Sequence, residues 1–216
     1  MKNKILTIKS LIKRRISLAK KGKVWTPIDF IDIGARDVID KTLQRMVHSN
    51  ELRRIDRGLY DQPKINSLTG KKNAPDYRKV LEAIVRRDQI RVLVDGLTCA
   101  NELGLTNAVI GQVIIHTDAR LRPIKLDKLT IKFKLTAPSK LYWAGRPGMK
   151  IIQALYWLHD SFEGMSEIDK RNVQYKLIRF LQNSKHGKEI CNDLEKGLYT
   201  IPVWMQKYVR ELLTRL

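Results

Sequence analysis

Three arginines within five positions, Arg53, Arg54 and Arg57, sit in a stretch that alternates apolar and basic residues and turns at Asp56-Arg57-Gly58. A guanidinium is planar, always charged and rich in donors, so this cluster suits contact with phosphates. Such contacts position a protein on nucleic acid without reading its sequence. Arg57, at the turn, could instead enter a narrow minor groove. A second set lies a little earlier: Arg36, Lys41, Gln44 and Arg45. These residue types donate hydrogen bonds to base edges in the major groove, and two of the four are expected to touch bases. Asp37 and Asp40 interleave with them, either accepting from cytosine or orienting a neighbouring cation. Lys23, with Lys13, Arg14, Lys20 and Lys21, extends the cationic footprint.

Those side chains need a helix and a hairpin to carry them. Ile39, Leu43, Met46 and Val47 recur at helical spacing and predict a helix over 36–49 that buries one stripe, with Asn50 as its stop. Leu52, Ile55, Leu59 and Tyr60 alternate with the arginines and predict two short strands, Tyr60 on the core side. Upstream, Leu6, Ile8, Leu11, Ile12, Ile16 and Ala19 predict a basic helix ending at Lys21-Gly22. Thr26-Pro27 opens a short helix with Asp29 in its first turn, and Ile28, Phe30, Ile31 and Ile33 are its expected packing face. Trp25 is expected to pack the first helix against the hairpin. This order reads as a winged helix-turn-helix over residues 1–62.

Residues 63–75 hold prolines, a glycine and scattered polar residues and read as a linker. Residues 76–216 then read as a second α+β domain. It opens with a helix over 76–87 and carries short strands at 92–94, 113–117, 124–126 and 131–135, expected to form a small, mostly antiparallel sheet. A helical part closes the chain, with Ser166 and Asp169 forming a capping box and Pro202 opening the last helix. The expected fold class is therefore α+β in two domains.

The formal net charge is +20, from 42 Lys plus Arg against 22 Asp plus Glu. Residues 1–74 hold 18 basic and 7 acidic residues, so both halves are cationic, and residues 1–23 hold nine Lys or Arg and no acid. A field of this sign draws polyanions, which favours double-stranded DNA as partner. Cys99 and Cys191 lie far apart without a CxxC, against a zinc site or a disulfide framework. No metal and no cofactor are expected. His48, His116, His159 and His186 lack carboxylate or cysteine companions at ligand spacing, and no Walker, dinucleotide or nucleophile-elbow motif is present, so no catalytic residue is assigned. Basic residues interrupt every apolar run, so neither a membrane span nor a signal peptide core is expected, and the location is expected to be cytoplasmic.

Several segments together carry a resemblance. They are Gly22-Lys23-Val24-Trp25-Thr26-Pro27-Ile28-Asp29-Phe30, Leu43-Gln44-Arg45-Met46, the Arg53 to Tyr60 string, Asp95-Gly96-Leu97-Thr98-Cys99-Ala100-Asn101-Glu102-Leu103-Gly104-Leu105, and Gln153-Ala154-Leu155-Tyr156-Trp157-Leu158. With these the chain resembles the AbiEi-type antitoxin family, in its DUF6088 branch. The resemblance implies a winged helix that binds inverted repeats in its operon promoter and represses transcription. It also implies a C-terminal domain that counters a nucleotidyltransferase-type toxin. Carried to this chain, the DNA-facing positions are Arg45, Arg53, Arg54 and Arg57, with Gly58 and Tyr60 at the turn and return strand. A homodimer or cooperative pairing on a two-fold operator is expected. Two other readings stay open: a nucleic-acid-acting enzyme with a winged-helix targeting domain, whose acids Asp95, Glu102, Asp118 and Asp127 would converge, and an adaptor that binds only protein.

Overall fold

The computed structural model describes residues 7–162 and 164–216. Among the described residues the chain is mixed α+β, with eight α-helices, three short 3-10 helices and two small sheets. It divides into two compact units, Met1–Ile90 with Ile124–Asp127, and Arg91–Pro123 with Lys128–Leu216.

The first unit begins with α1 (Ile8–Leu18), capped by the Thr7 side chain, which accepts from the Ser10 amide at 3.2 Å. Leu6, expected within this helix, lies outside the described residues. Gly22 then turns the chain at φ +87°, where a side chain would be strained, and leads into β1 (Val24–Trp25). The element after Thr26 is a 3-10 turn, Pro27–Phe30, with the Thr26 amide donating to Asp29 Oδ2 at 2.7 Å. Its packing face differs from the expected one. Three residues per turn align 27, 30 and 33, so Pro27 and Phe30 are buried and Ile33 is half-buried, while Ile28 and Ile31 face solvent.

Helix α2 (Arg36–His48) buries Ile39, Thr42, Leu43 and Met46 and stops at Asn50, which takes a left-handed φ of 56°. Strands β2 (Arg53–Asp56) and β3 (Leu59–Asp61) form a hairpin turned at Gly58. The sheet order is β1-β3-β2, antiparallel throughout, with Trp25 opposite Tyr60 and Arg54 opposite Tyr60 on either side of the central strand. Ile12, Trp25, Phe30, Ile39, Leu43, Met46, Leu52 and Tyr60 form one core, in which the Trp25 and Phe30 rings stack at 5.2 Å. Burying each large side chain of this kind contributes about 2 kcal/mol.

The boundary between the units does not fall near residue 75. Helix α3 (Tyr77–Asp88) belongs to the first unit because two of its arginines reach across to it. Arg86 donates to both Asp29 oxygens at 2.8 and 3.0 Å and to the Val24 carbonyl at 3.0 Å. Arg87 donates to the Arg57 carbonyl at 2.9 Å. Residues 63–75 are also less linker-like than their composition. Ile65 bridges Lys72, and the Asn73 carbonyl accepts from Arg53.

Chain order continues with β4 (Val92–Val94), α4 (Gly96–Glu102), β5 (Gln112–Thr117), β6 (Ile124–Leu126) and β7 (Leu129–Leu135). Four helices follow: α5 (Met149–Phe162), α6 (Glu167–Asn183), α7 (Gly187–Gly197) and α8 (Val203–Thr214). The sheet order is β4-β5-β7-β6. β4 and β5 run antiparallel, but β5 and β7 run parallel over six residues, from Gln112 opposite Thr130 to Thr117 opposite Leu135. A parallel pair therefore stands within the sheet that was expected to be mostly antiparallel. Alternation reports which face of a strand is buried and says nothing about its partner's direction. The core of the second unit joins Cys99, Trp143, Leu155, Leu177, Leu194 and Val209 among others. Gly96 lets α4 lie directly on α5, where a Cβ would overlap the Gln153 carbonyl and Trp157.

Candidate nucleic-acid interface

The exposed side of α2 is polar apart from Val38. Asp37, Lys41, Gln44 and His48, spaced at i, i+4, i+7 and i+11, form an exposed line opposite the buried stripe. Arg45 flanks that line on one side, Arg36 and Asp40 on the other. Arg36 Nε donates to Asp40 Oδ2 at 3.1 Å, so Arg36 is presented by a carboxylate one turn on. A pair this exposed adds little stability. Its effect is to orient the guanidinium.

Tyr60 is buried, and that burial pushes its phenol up. The charges of Arg54 and Arg36 draw the phenol down and that of Asp40 raises it. One phenol therefore feels the charge of a cation from each element, Arg54 of β2 and Arg36 of α2.

The alternation of β2 separates its two arginines. Arg54 is exposed, whereas Arg53 faces the other way and is held by Asp61, with Nε and Nη2 donating to the two carboxylate oxygens at 2.9 and 2.6 Å. Its Nη1 donates to the Asn73 carbonyl at 2.8 Å. Arg53 is therefore corrected from a phosphate contact to an internal brace, since its guanidinium satisfies a carboxylate that is 7% exposed. Lys23 is likewise turned inward, with Nζ 4.1 Å from the centre of the Trp25 ring. Lys13 pairs with Glu51 at 2.6 Å, and Lys9 with the same carboxylate at 2.7 Å. Hydrogen bonds from Lys13, then Lys9, hold the Glu51 carboxyl down at about 2.

Among the described residues, Lys41 and Arg45 on α2 and Arg54 and Arg57 on the hairpin are exposed and lie within ion-pair distance of no carboxylate. Gln44 is exposed between the two α2 cations. In the same unit, Arg15 clamps Asp32 and donates to the Asp29 carbonyl, Arg86 holds Asp29, and Arg87 pairs with Asp88 at 2.7 Å. Arg15, Arg53, Arg86 and Arg87 are thus held by carboxylates, whereas Lys41, Arg45, Arg54 and Arg57 are not, and the exposed Arg14, Lys20 and Lys21 join them as cations in no described ion pair.

Two contributors escape sequence reasoning. His48 extends the exposed α2 line and was legible from its spacing. Arg87 was not: its bond to the hairpin turn spans thirty residues, and nothing in a linear pattern reports so distant a partner.

The carboxylates of the second reading each have a separate task. Asp95 caps α4, accepting from the Thr98 amide at 3.0 Å and the Ile114 amide at 2.9 Å. Glu102 pairs with Lys150 at 2.7 Å, and Asp118 holds Arg91 at 2.9 Å. Asp127 makes the left-handed turn between β6 and β7 at φ 58°. Among the described residues no group of three or more His, Cys, Asp or Glu could hold a metal ion. Burial, with Glu102 and Asp95 nearby, pushes the Cys99 thiol up to about 12. No described helix is long and apolar enough to cross a membrane.

A family described as a family of unknown function, DUF6088, matches residues 11–203. The chain belongs to this family. The match spans both compact units, so the α2–hairpin face and the helical second unit are parts of one DUF6088 sequence. No curated protein and no solved structure matches the chain.

Proposed function

We propose that this DUF6088 chain is a DNA-binding transcriptional autorepressor with an antitoxin-like second unit. The first unit acts as a winged helix-turn-helix. Helix α2 enters the major groove with Lys41, Gln44 and Arg45 toward base edges, and the β2–β3 hairpin is the wing, resting Arg54 and Arg57 on phosphates. The observation that carries this reading is that Lys41 and Arg45 on α2 and Arg54 and Arg57 on the hairpin are exposed and in no described ion pair, while Arg15, Arg53, Arg86 and Arg87 are held by carboxylates. The element order helix, strand, short helix, helix, hairpin and the sheet order β1-β3-β2 support it, as does the net charge of +20. One such unit makes few base contacts, so two copies on an inverted repeat are expected. The antitoxin role rests on the sequence resemblance alone, and co-expression with the product of the neighbouring gene tests it by rescue of growth.

DNA binding is tested by fluorescence anisotropy of the full-length protein on its own promoter fragment and on a random duplex, across a salt series. Binding should weaken with salt, each neutralised phosphate contributing about −0.9 to the log–log slope. Changing Arg54 and Arg57 to Ala should flatten the slope by about 2 on both duplexes. Changing Lys41, Gln44 and Arg45 to Ala should narrow the gap between promoter and random duplex. Salt-independent binding, or variants that bind as the parent does, refutes the reading.

A further inference from the structure

The second unit carries its own cationic face, on α6. Beyond its first turn, residues 170–183 contain Lys170, Arg171, Lys176 and Arg179 and no acid. Arg171, Tyr175 and Arg179 recur every four residues and are all exposed, so they form a ladder along one side of the helix. Tyr175 is 62% exposed, and among the described residues its ring has no aromatic or cationic partner within stacking distance. Neither Arg171 nor Arg179 is in an ion pair with a described residue. Beside the ladder lies an open depression of about 400 Å³ whose wall includes Arg179, Lys176, Asn183, Leu103 and Phe180. Lys176 is fixed there by donating from Nζ to the Gly104 carbonyl at 2.6 Å.

We propose that this face binds single-stranded nucleic acid. Four residues of helix rise about 6 Å, so the arginines on either side of Tyr175 stand about 12 Å apart. A strand lying along α6 would place phosphates on Arg171 and Arg179 and stack a base on Tyr175. Any base can stack on an aromatic ring, and arginines beside it track the backbone. The depression takes a neighbouring base, its apolar wall from Leu103 and Phe180 and its hydrogen-bonding edge from Asn183. A duplex buries its bases and has nothing to offer an exposed ring. Glu167 stands one turn before Arg171 and marks where the cationic line begins, and the ring without a stacking partner between two arginines in no described ion pair favours a single strand over a protein partner. This site is independent of the wing.

The test uses the full chain with Arg54 and Arg57 changed to Ala, so that the hairpin contributes little, and a fluorescein-labelled twelve-nucleotide oligothymidylate as probe. Anisotropy should show salt-dependent binding that Tyr175→Ala weakens about tenfold and Tyr175→Phe leaves near the parent value. Arg171→Gln and Arg179→Gln should each flatten the salt slope by about 0.7. A duplex of equal length should not respond to Tyr175→Ala. Absence of binding, an equal loss for strand and duplex, or no effect of Tyr175→Ala overturns the proposal and leaves the face to an acidic protein.

Discussion

Arg53 and Arg54 are adjacent, identical in type and opposite in fate, so alanine at each should produce opposite signatures. Arg53 makes two hydrogen bonds to Asp61 and one to the Asn73 carbonyl, and its removal strands a carboxylate that is 7% exposed. Breaking a well-buried ion pair costs about 3–5 kcal/mol. The Arg53 side chain keeps a quarter of its surface in water, and solvent screening lowers the expectation to about 2 kcal/mol. With a urea dependence of about 2 kcal/mol per molar, the midpoint should fall by about 1 M. Arg54→Ala removes an exposed side chain with no described ion-pair partner, so its midpoint should move by less than about 0.3 M. DNA binding should invert the order. Arg54→Ala flattens the salt slope by about 0.9, while folded Arg53→Ala keeps the parent slope. Pairing Arg53→Ala with Asp61→Asn should recover part of the lost stability, because the stranded charge is gone. Urea titration by circular dichroism and salt-series anisotropy read the two effects separately. If Arg53→Ala leaves the midpoint unchanged and flattens the slope, Arg53 serves the phosphate and the assignment of its role is wrong.

Three further outcomes are expected. Arg87→Ala should weaken duplex binding about three- to tenfold, the value of one hydrogen bond to the hairpin turn, with the salt slope unchanged because Arg87 positions the turn and touches no phosphate; a flatter slope would make it a direct contact. Burial raises the Asp29 carboxyl, but hydrogen bonds from Arg86 and Thr26 outweigh it and hold the group below its ordinary 3.8. Its stabilising share is therefore complete above that value and is lost as pH falls through the lowered one, so the stability gap between the parent and Asp29→Asn should be constant from pH 5 to 7 and close below about pH 4 in pH-resolved urea titrations. Gly197→Ala would push a methyl into the buried Trp143 ring, an overpacking worth about 1–3 kcal/mol, and thermal denaturation should show a lower midpoint; an unchanged midpoint would mean the ring has room to move.

Local signals in the chain are strong, and they concern single elements. The 3.6-residue spacing of Ile39, Leu43 and Met46 set out α2, the alternation around Arg53 to Tyr60 set out the hairpin, and Asn50, Gly58 and Pro202 mark stops, turns and starts because their backbone preferences act within one or two residues. The α6 ladder was equally present in the spacing, but nothing linear says that Tyr175 would be left without a neighbour. The turn after Thr26 was misjudged in period, since a 3-10 turn and a first α-turn share the same capping residues.

Composition and spacing by themselves determined the cationic character, the nature of nearly every element and the positions at which its cations fall. Tertiary structure alone decided which of those cations are free. Arg53 could be assigned to Asp61, Lys23 to the Trp25 ring and α3 to the first unit only once distant residues stood side by side. Charge is a property of a residue and can be counted along the chain. Availability depends on what lies within about 4 Å in space, and for an arginine that neighbour is often dozens of positions away.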